Sequence, residues 1–271
     1  MEVCKTNSIA LTLETIDKKT GERIEEGYIK ANYASGTINT HIKNLKVFLK
    51  WASENGFNVP VSGLAIKKPK AERATIQFLN EDELAKVENA VLPPSLDRHR
   101  DLFLFTCYTG LRYSDLANLK PENYKNSQLK ITTIKTHHEI FIPIHPRAKD
   151  IIEKYGGKLP HPVSNQKMND ALKKIGFAAG LTDMEQIVSY KGGKRIQESL
   201  PKHELLTCHV GRRTFIIYSL QRGVRPETLM EATGHRDIRI LMQYVKITPD
   251  VLAKELFTAW GQPEVQIRKI G

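Results

Sequence analysis

Cysteine is scarce in this chain: only Cys4, Cys107 and Cys208 occur, an odd number with no CxxC pair. That excludes a disulfide scaffold and a structural zinc site of the usual ligand spacing, and leaves the expectation of a reduced, cytoplasmic protein. Long apolar runs are also missing, with nothing near the ~20 residues of a membrane span. The segment Ile9 to Leu13 is too short for a signal-peptide core and is soon followed by Glu14. There is no GxxxxGK[ST] phosphate loop, which argues against ATP use. Nor is there a carboxylate-rich motif of the kind that two-metal hydrolysis requires. His137, His138 and His145 have no matching ligand-rich segment and read as surface histidines. The expectation is therefore a protein with neither metal nor organic cofactor.

What the chain does have is positive charge. Its 41 Lys and Arg outnumber 30 Asp and Glu, a formal net charge of +11, which points to a polyanionic partner. With 271 residues, 40% of them hydrophobic, it can form one large domain or two modest ones.

The clearest boundary is the basic, proline-bearing stretch Lys67-Lys68-Pro69-Lys70, which lacks hydrophobic periodicity and reads as an exposed linker over 67–75. It divides the chain into residues 1–66 and 76–271. Ahead of it, Ile38, Ile42, Leu45, Leu49 and Ala52 mark one face of a helix that Gly56 stops. Beside that face runs a second stripe, Asn39, Lys43, Lys46 and Lys50, about 100° away. A basic stripe adjoining an apolar one suits a helix docked on a core and facing phosphates, and a solvated lysine face has the same pattern; if the polyanion is DNA, these residues with Lys67, Lys68 and Lys70 are its expected contacts. Residues 1–34 are less legible: Ile9, Leu11 and Leu13 alternate like a strand, and Asp17-Lys18-Lys19-Thr20-Gly21 reads as a turn.

Past the linker the pattern is helical with two interruptions. Asn80 and Glu83 make a capping box for a helix over 81–89. Leu102 to Tyr108, apolar nearly all round, predicts a buried helix stopped by Gly110. Residues 129–135 and 139–143 read as a hairpin, and Gly192-Gly193 marks a second. Thr207 caps a helix ending before Gly223, in which Gly211 is expected to loosen the backbone by ~1 kcal/mol relative to alanine. Pro226 and Thr248-Pro249 open two more, the last running through Trp260.

Four segments carry chemistry together: Thr109-Gly-Leu-Arg112-Tyr-Ser-Asp-Leu116; Ile134-Lys135-Thr136; His209-Val-Gly-Arg212-Arg-Thr-Phe215; and Gly234-His235, followed by Tyr244. Each alone is ordinary. Together they supply what breaking a phosphodiester without metal needs. A phenol of ordinary pKa near ~10 needs cationic surroundings or a base to attack at neutral pH. Two guanidiniums can grip the non-bridging oxygens, a lysine on a hairpin can protonate the leaving oxygen, and histidines can add hydrogen bonds or move the phenolic proton.

In order and spacing these segments resemble the tyrosine recombinase, or phage integrase, family over roughly residues 76 to 260. The resemblance implies a mainly helical catalytic domain with small β-hairpins (α+β), carrying Arg112, Lys135, His209, Arg212, His235 and the nucleophile Tyr244. It implies that residues 1–66 form a helical core-binding domain, here incomplete, which clamps double-stranded DNA together with the catalytic domain. It further implies a monomer or weak oligomer that becomes a tetramer on DNA recombination sites, with accessory DNA-bending factors, in a bacterial nucleoid. Val251, Leu252, Leu256 and Trp260 would offer an apolar face to a neighbouring protomer. The run from Gly192 to His209 resembles integrases of conjugative transposons. Arg213 and Thr233 depart from the commoner histidine and leucine at those places. Two rival readings are a type IB topoisomerase, disfavoured by His209 where those enzymes usually have lysine, and a non-catalytic DNA-binding factor.

Overall fold

A computed structural model describes Thr12, Leu13, residues 16–59 and residues 76–244. In chain order the helices are α1 (Lys18–Lys30), α2 (Ser35–Glu54), α3 (Glu81–Glu88), α4 (Pro94–Thr109), α5 (Tyr113–Ala117), α6 (Pro146–Lys154), α7 (Asn165–Ala178), α8 (Cys208–Gln221), α9 (Pro226–Thr233) and α10 (Ile238–Leu241). The strands are β1 (Tyr124–Lys125), β2 (Gln128–Thr132), β3 (Glu139–Pro143), β4 (Met184–Lys191) and β5 (Lys194–Pro201). The fold is thus mainly helical with small antiparallel sheets, as expected.

The chain forms two compact units, one of residues 1–75 with 184–200, the other of residues 76–183 with 201–271. In the first, Asp17 accepts bonds from the Thr20 amide (2.7 Å) and hydroxyl (2.8 Å), which starts α1. The stretch read as a turn is therefore a helix N-terminus. The two signals share their residue types, since Asp and Thr satisfy free amides equally well in either setting. Ile24 and Tyr28 of α1 pack on Ile38 and Ile42 of α2, while Leu49 and Ala52 pack with Ile16 and Val59. The tip of the β4–β5 hairpin joins this unit: Gly192 donates its amide to the Tyr33 carbonyl (3.1 Å), and Lys191 bridges to Ala34.

In the second unit α4 is the central helix, with Leu102 to Cys107 all buried. The capping box forms as read, the Asn80 amide donating to Glu83 (2.7 Å) and the Glu83 amide to Asn80 (2.9 Å). Where α8 crosses α4, a Cβ on Gly211 would lie 2.2 Å from Thr106 Oγ1. Gly211 therefore has a packing reason beyond its low helix propensity: any side chain would have to displace the Thr106 hydroxyl or part the two helices. Thr207 stands at the α8 N-terminus but its side chain makes no capping bond; the Cys208 amide instead donates to Asn169 of α7 (2.9 Å). The sheet runs β1-β2-β3, with Leu129 opposite Ile142 and Ile131 opposite Ile140, so its inward face joins the core and its outward face stays wet. The expected helix from Thr248 through Trp260, with Val251, Leu252 and Leu256, lies outside the described residues, as do Lys67, Lys68 and Lys70.

Candidate active site

Two helix ends build the floor of the site. Helix α4 stops at Gly110 (φ 68°) and α9 at Gly234 (φ 63°), both in the left-handed conformation that turns the chain sharply and leaves carbonyls without intrahelical partners. Arginines take up those carbonyls. Arg212 Nη1 donates to the Gly110 oxygen and Nη2 to the Thr233 oxygen, each at 2.7 Å. Arg112 Nη2 donates to the Gly234 oxygen at 3.3 Å. Arg212 is only 1% exposed and has no carboxylate partner among the described residues; the negative ends of two helix dipoles meet its charge instead. Burial, and then repulsion from Arg112, lower its pKa to about 9, so it stays charged at neutral pH.

The turn carrying Lys135 is pinned on two sides. Its Ile134 amide donates to buried Asp115 Oδ1 (2.9 Å), whose other oxygen lies 3.8 Å from Arg112 Nη1. Across the turn, the Thr136 hydroxyl reaches the Gly234 carbonyl (3.4 Å), and Arg236 donates to the Thr136 carbonyl. Within it, the Thr133 and Thr136 hydroxyls pair at 2.6 Å. Lys135 itself projects into solvent.

Two histidines complete the site. His209 sits in the first turn of α8, exposed, and is held down to about 4 by the protein around its ring and then by Arg213, Arg212, Arg112 and Lys135. His235, partly buried after α9, is held down to about 3 by burial and then by Arg212, Arg112, His209 and Lys135. Both imidazoles are neutral at pH 7. Each senses the same cations, so Arg112, Lys135, His209, Arg212 and His235 share one locus. Tyr244 follows α10, with its amide bonded to the Leu241 carbonyl (2.8 Å) and its ring against Ile216, Leu229 and Leu241. Its phenol lies close enough to Arg212 to act on that charge. The six residues named from sequence thus converge, and the site is an open cationic shelf. A cavity of about 440 Å³ on the outer sheet face, lined by Lys125, Lys130 and Phe141 among others, contains none of them. A shelf rather than a pocket suits a phosphate carried on a wide polymer.

Three contributors were not singled out for the site from sequence. Asp115 had a legible signal, a carboxylate three residues after Arg112, the spacing of neighbours on a helix face. Arg213 is the charge acting most strongly on His209, and its Nε is shielded from water without a hydrogen-bond partner among the described residues. Thr233 touches both Arg212 and His235. Among the expected DNA contacts on α2, Lys43 and Lys50 are exposed, Lys50 beside Glu54 at 3.7 Å, while Asn39 and Lys46 are half-buried. All four lie in the other unit. Among the described residues no three His, Cys, Asp or Glu side chains gather as a metal-binding group, and no helix is long and apolar enough to cross a membrane.

Residues 77–250 match the family model described as the phage integrase family. The chain is 26% identical over 255 residues to the tyrosine recombinase XerA of Saccharolobus solfataricus, covering 93% of this chain and 76% of that protein. Its fold is similar to that of a lambda integrase (75–356) dimer bound to a COC′ core site, with a TM-score of 0.69, 19% identity and coverage of 92% of this chain and 89% of that one. It is also similar to the Tn1549 transposon integrase in complex with a circular intermediate DNA, with a TM-score of 0.67, 14% identity and coverage of 95% and 91%.

Proposed function

Because the chain belongs to the phage integrase family, as a tyrosine-type site-specific recombinase acting on DNA, we propose that Tyr244 is its nucleophile and that Arg112, Lys135, His209, Arg212 and His235 form the catalytic set. The observation that carries this reading is the convergence of two guanidiniums, a hairpin lysine and two neutral imidazoles beside one phenol. Tyr244 Oη attacks the scissile phosphorus as its proton passes to a neutral imidazole. The bond from phosphorus to the 5′ oxygen breaks, and Lys135 protonates that oxygen. The products are a 3′-phosphotyrosyl enzyme and a free 5′-hydroxyl. A 5′-hydroxyl from a partner strand reverses the steps, so the bond energy is kept. Arg112 and Arg212 stabilise the charge that builds on the non-bridging oxygens, a role whose loss typically costs ~10²–10³ in rate for one donor.

At a finer level we propose that the substrate is an attachment site of a mobile element, integrated and excised by a tetramer on DNA. The basic stripe on α2 and the linker lysines would grip the duplex backbone. The run from Gly192 to His209 supports the conjugative-transposon subtype. The test is incubation with a nicked attachment-site duplex, which traps the adduct because the 5′-hydroxyl fragment diffuses away. The wild-type chain is expected to form a covalent DNA complex and Tyr244→Phe none. Absence of a Tyr244-dependent adduct overturns the assignment.

A further inference from the structure

Arg213 follows Arg212 on α8 and stands where histidine is the commoner residue. At ~100° of turn for each helical residue, Arg213 falls about 40° to one side of His209 and Arg212 about 60° to the other. His209 and Arg213, four residues apart, are therefore neighbours on one face of the helix. The electrostatics agree: after burial, Arg213 acts on His209 more strongly than Arg212, Arg112 or Lys135 does.

The two adjacent guanidiniums differ in what holds them. Arg212 is buried and donates to the Gly110 and Thr233 carbonyls. Arg213 is half-buried, and among the described residues no hydrogen bond or ion pair engages any of its nitrogens, although its Nε is shut off from water. A guanidinium has five donors and no acceptor, and a cation partly withdrawn from water without a partner is costly. The helix cannot easily turn to expose it, because the next residue, fully buried Thr214, accepts the Leu79 amide at 3.0 Å. Every charge acting on His209 is positive. Such a group calls for an anion from outside the chain.

We propose that Arg213 binds a backbone phosphate adjoining the scissile one on the same DNA strand. The proposal rests on the reading of the site as that of a recombinase. There Arg112 and Arg212 supply the guanidiniums for the non-bridging oxygens of the scissile phosphate, and His209 stands between Arg212 and Arg213. The third guanidinium therefore serves the phosphate beyond His209. Its fork of N–H groups suits phosphate oxygens, and such a contact fixes the register of the strand without reading a base.

The test follows binding of a mixed-sequence duplex by the full chain as salt is raised. Losing one ionic contact flattens the log–log slope by about 0.9, so the advantage of the wild type over Arg213→Gln should shrink about three- to fourfold between about 50 and 200 mM salt. Arg213→Lys keeps the charge and should keep the wild-type slope. Arg213→His, neutral at about pH 8, should match Arg213→Gln and replaces it if the glutamine variant fails to fold. A wild-type slope in a folded glutamine or histidine variant overturns the proposal, as does a lysine variant as flat as these. On the nicked duplex, a neutral methylphosphonate at one of the two phosphates flanking the scissile one should slow adduct formation by the wild type more than by Arg213→Gln. Equal slowing of both proteins at each flanking position overturns the placement. The salt series needs no cleavage, so failure of the phosphate contact and failure of the Tyr244 assignment are told apart.

Discussion

At the scale of single residues, the site is a study in where charge can be kept without carboxylates. Among the described residues, Asp115 is the one carboxylate whose charge reaches Arg212, without an ion-pair contact, and it also acts on Arg112. Elsewhere backbone carbonyls carry the load. Burial first, and then the same excess of cations, gives the protein a pH dependence. His209 and His235 sit at about 4 and about 3, below an ordinary histidine, and burial lowers His99 and His145 in the same direction. Above about pH 6.5 these rings are neutral in both folded and unfolded chains, and the full stability is present. As pH falls, the unfolded chain takes up protons that the folded chain refuses, so stability declines through the window toward 4. Thermal melting between pH 7 and 5 is expected to show that decline, and His235→Gln should make it shallower; a flat profile in the wild type would contradict the geometry. Of these residues, Arg112, Lys135, His209, Arg212, His235 and Tyr244 were legible in the sequence, because phosphoryl chemistry needs those functional groups whatever the backbone does. Thr233 was visible only as a departure from habit, since its role depends on a bond across two residues of a tight turn.

At the scale of elements, legibility followed hydrophobic period and cap chemistry. Helix α2 and the Asn80–Glu83 box could be read because one face and one reciprocal pair define each. Helix α1 could not, since its opening Asp-Lys-Lys-Thr-Gly lacks apolar punctuation and its buried apolar side chains, Ile24 and Tyr28, are too few to set a period. The crossing of α4 and α8 is the element-level feature most sensitive to change. Gly211 meets Thr106 Oγ1 and Phe103 there, and the neighbouring Arg212 depends on the same backbone. Gly211→Ala is expected to cost about 1–3 kcal/mol by overpacking, despite alanine's better helix propensity. Urea denaturation measures this, and a stabilised variant would mean that the helices have slack.

At the scale of the whole molecule, net charge of +11 is the property most easily tested. Non-specific binding of a mixed-sequence duplex should weaken steeply with salt. If Lys43, Lys46 and Lys50 each neutralise one phosphate, replacing all three with alanine should flatten the log–log slope by about 0.9 for each phosphate lost. An unchanged slope would turn that helix face toward solvent or protein. The sequence shows the charge and its stripe but not the assignment of residues 184–200, because long-range contacts leave no local period.

That assignment matters for anyone dividing the polypeptide. The β4–β5 ribbon leaves the second unit at Asp183 and returns by Lys202, whose amide donates to the Asp183 carbonyl at 2.9 Å, so its two stems already meet. Its tip, meanwhile, is bonded to Tyr33 and Ala34. Severing the gene after residue 75 would therefore orphan a ribbon whose seat has been discarded. A fragment starting at residue 76 is better served by joining Asp183 directly to Lys202 through a short glycine bridge.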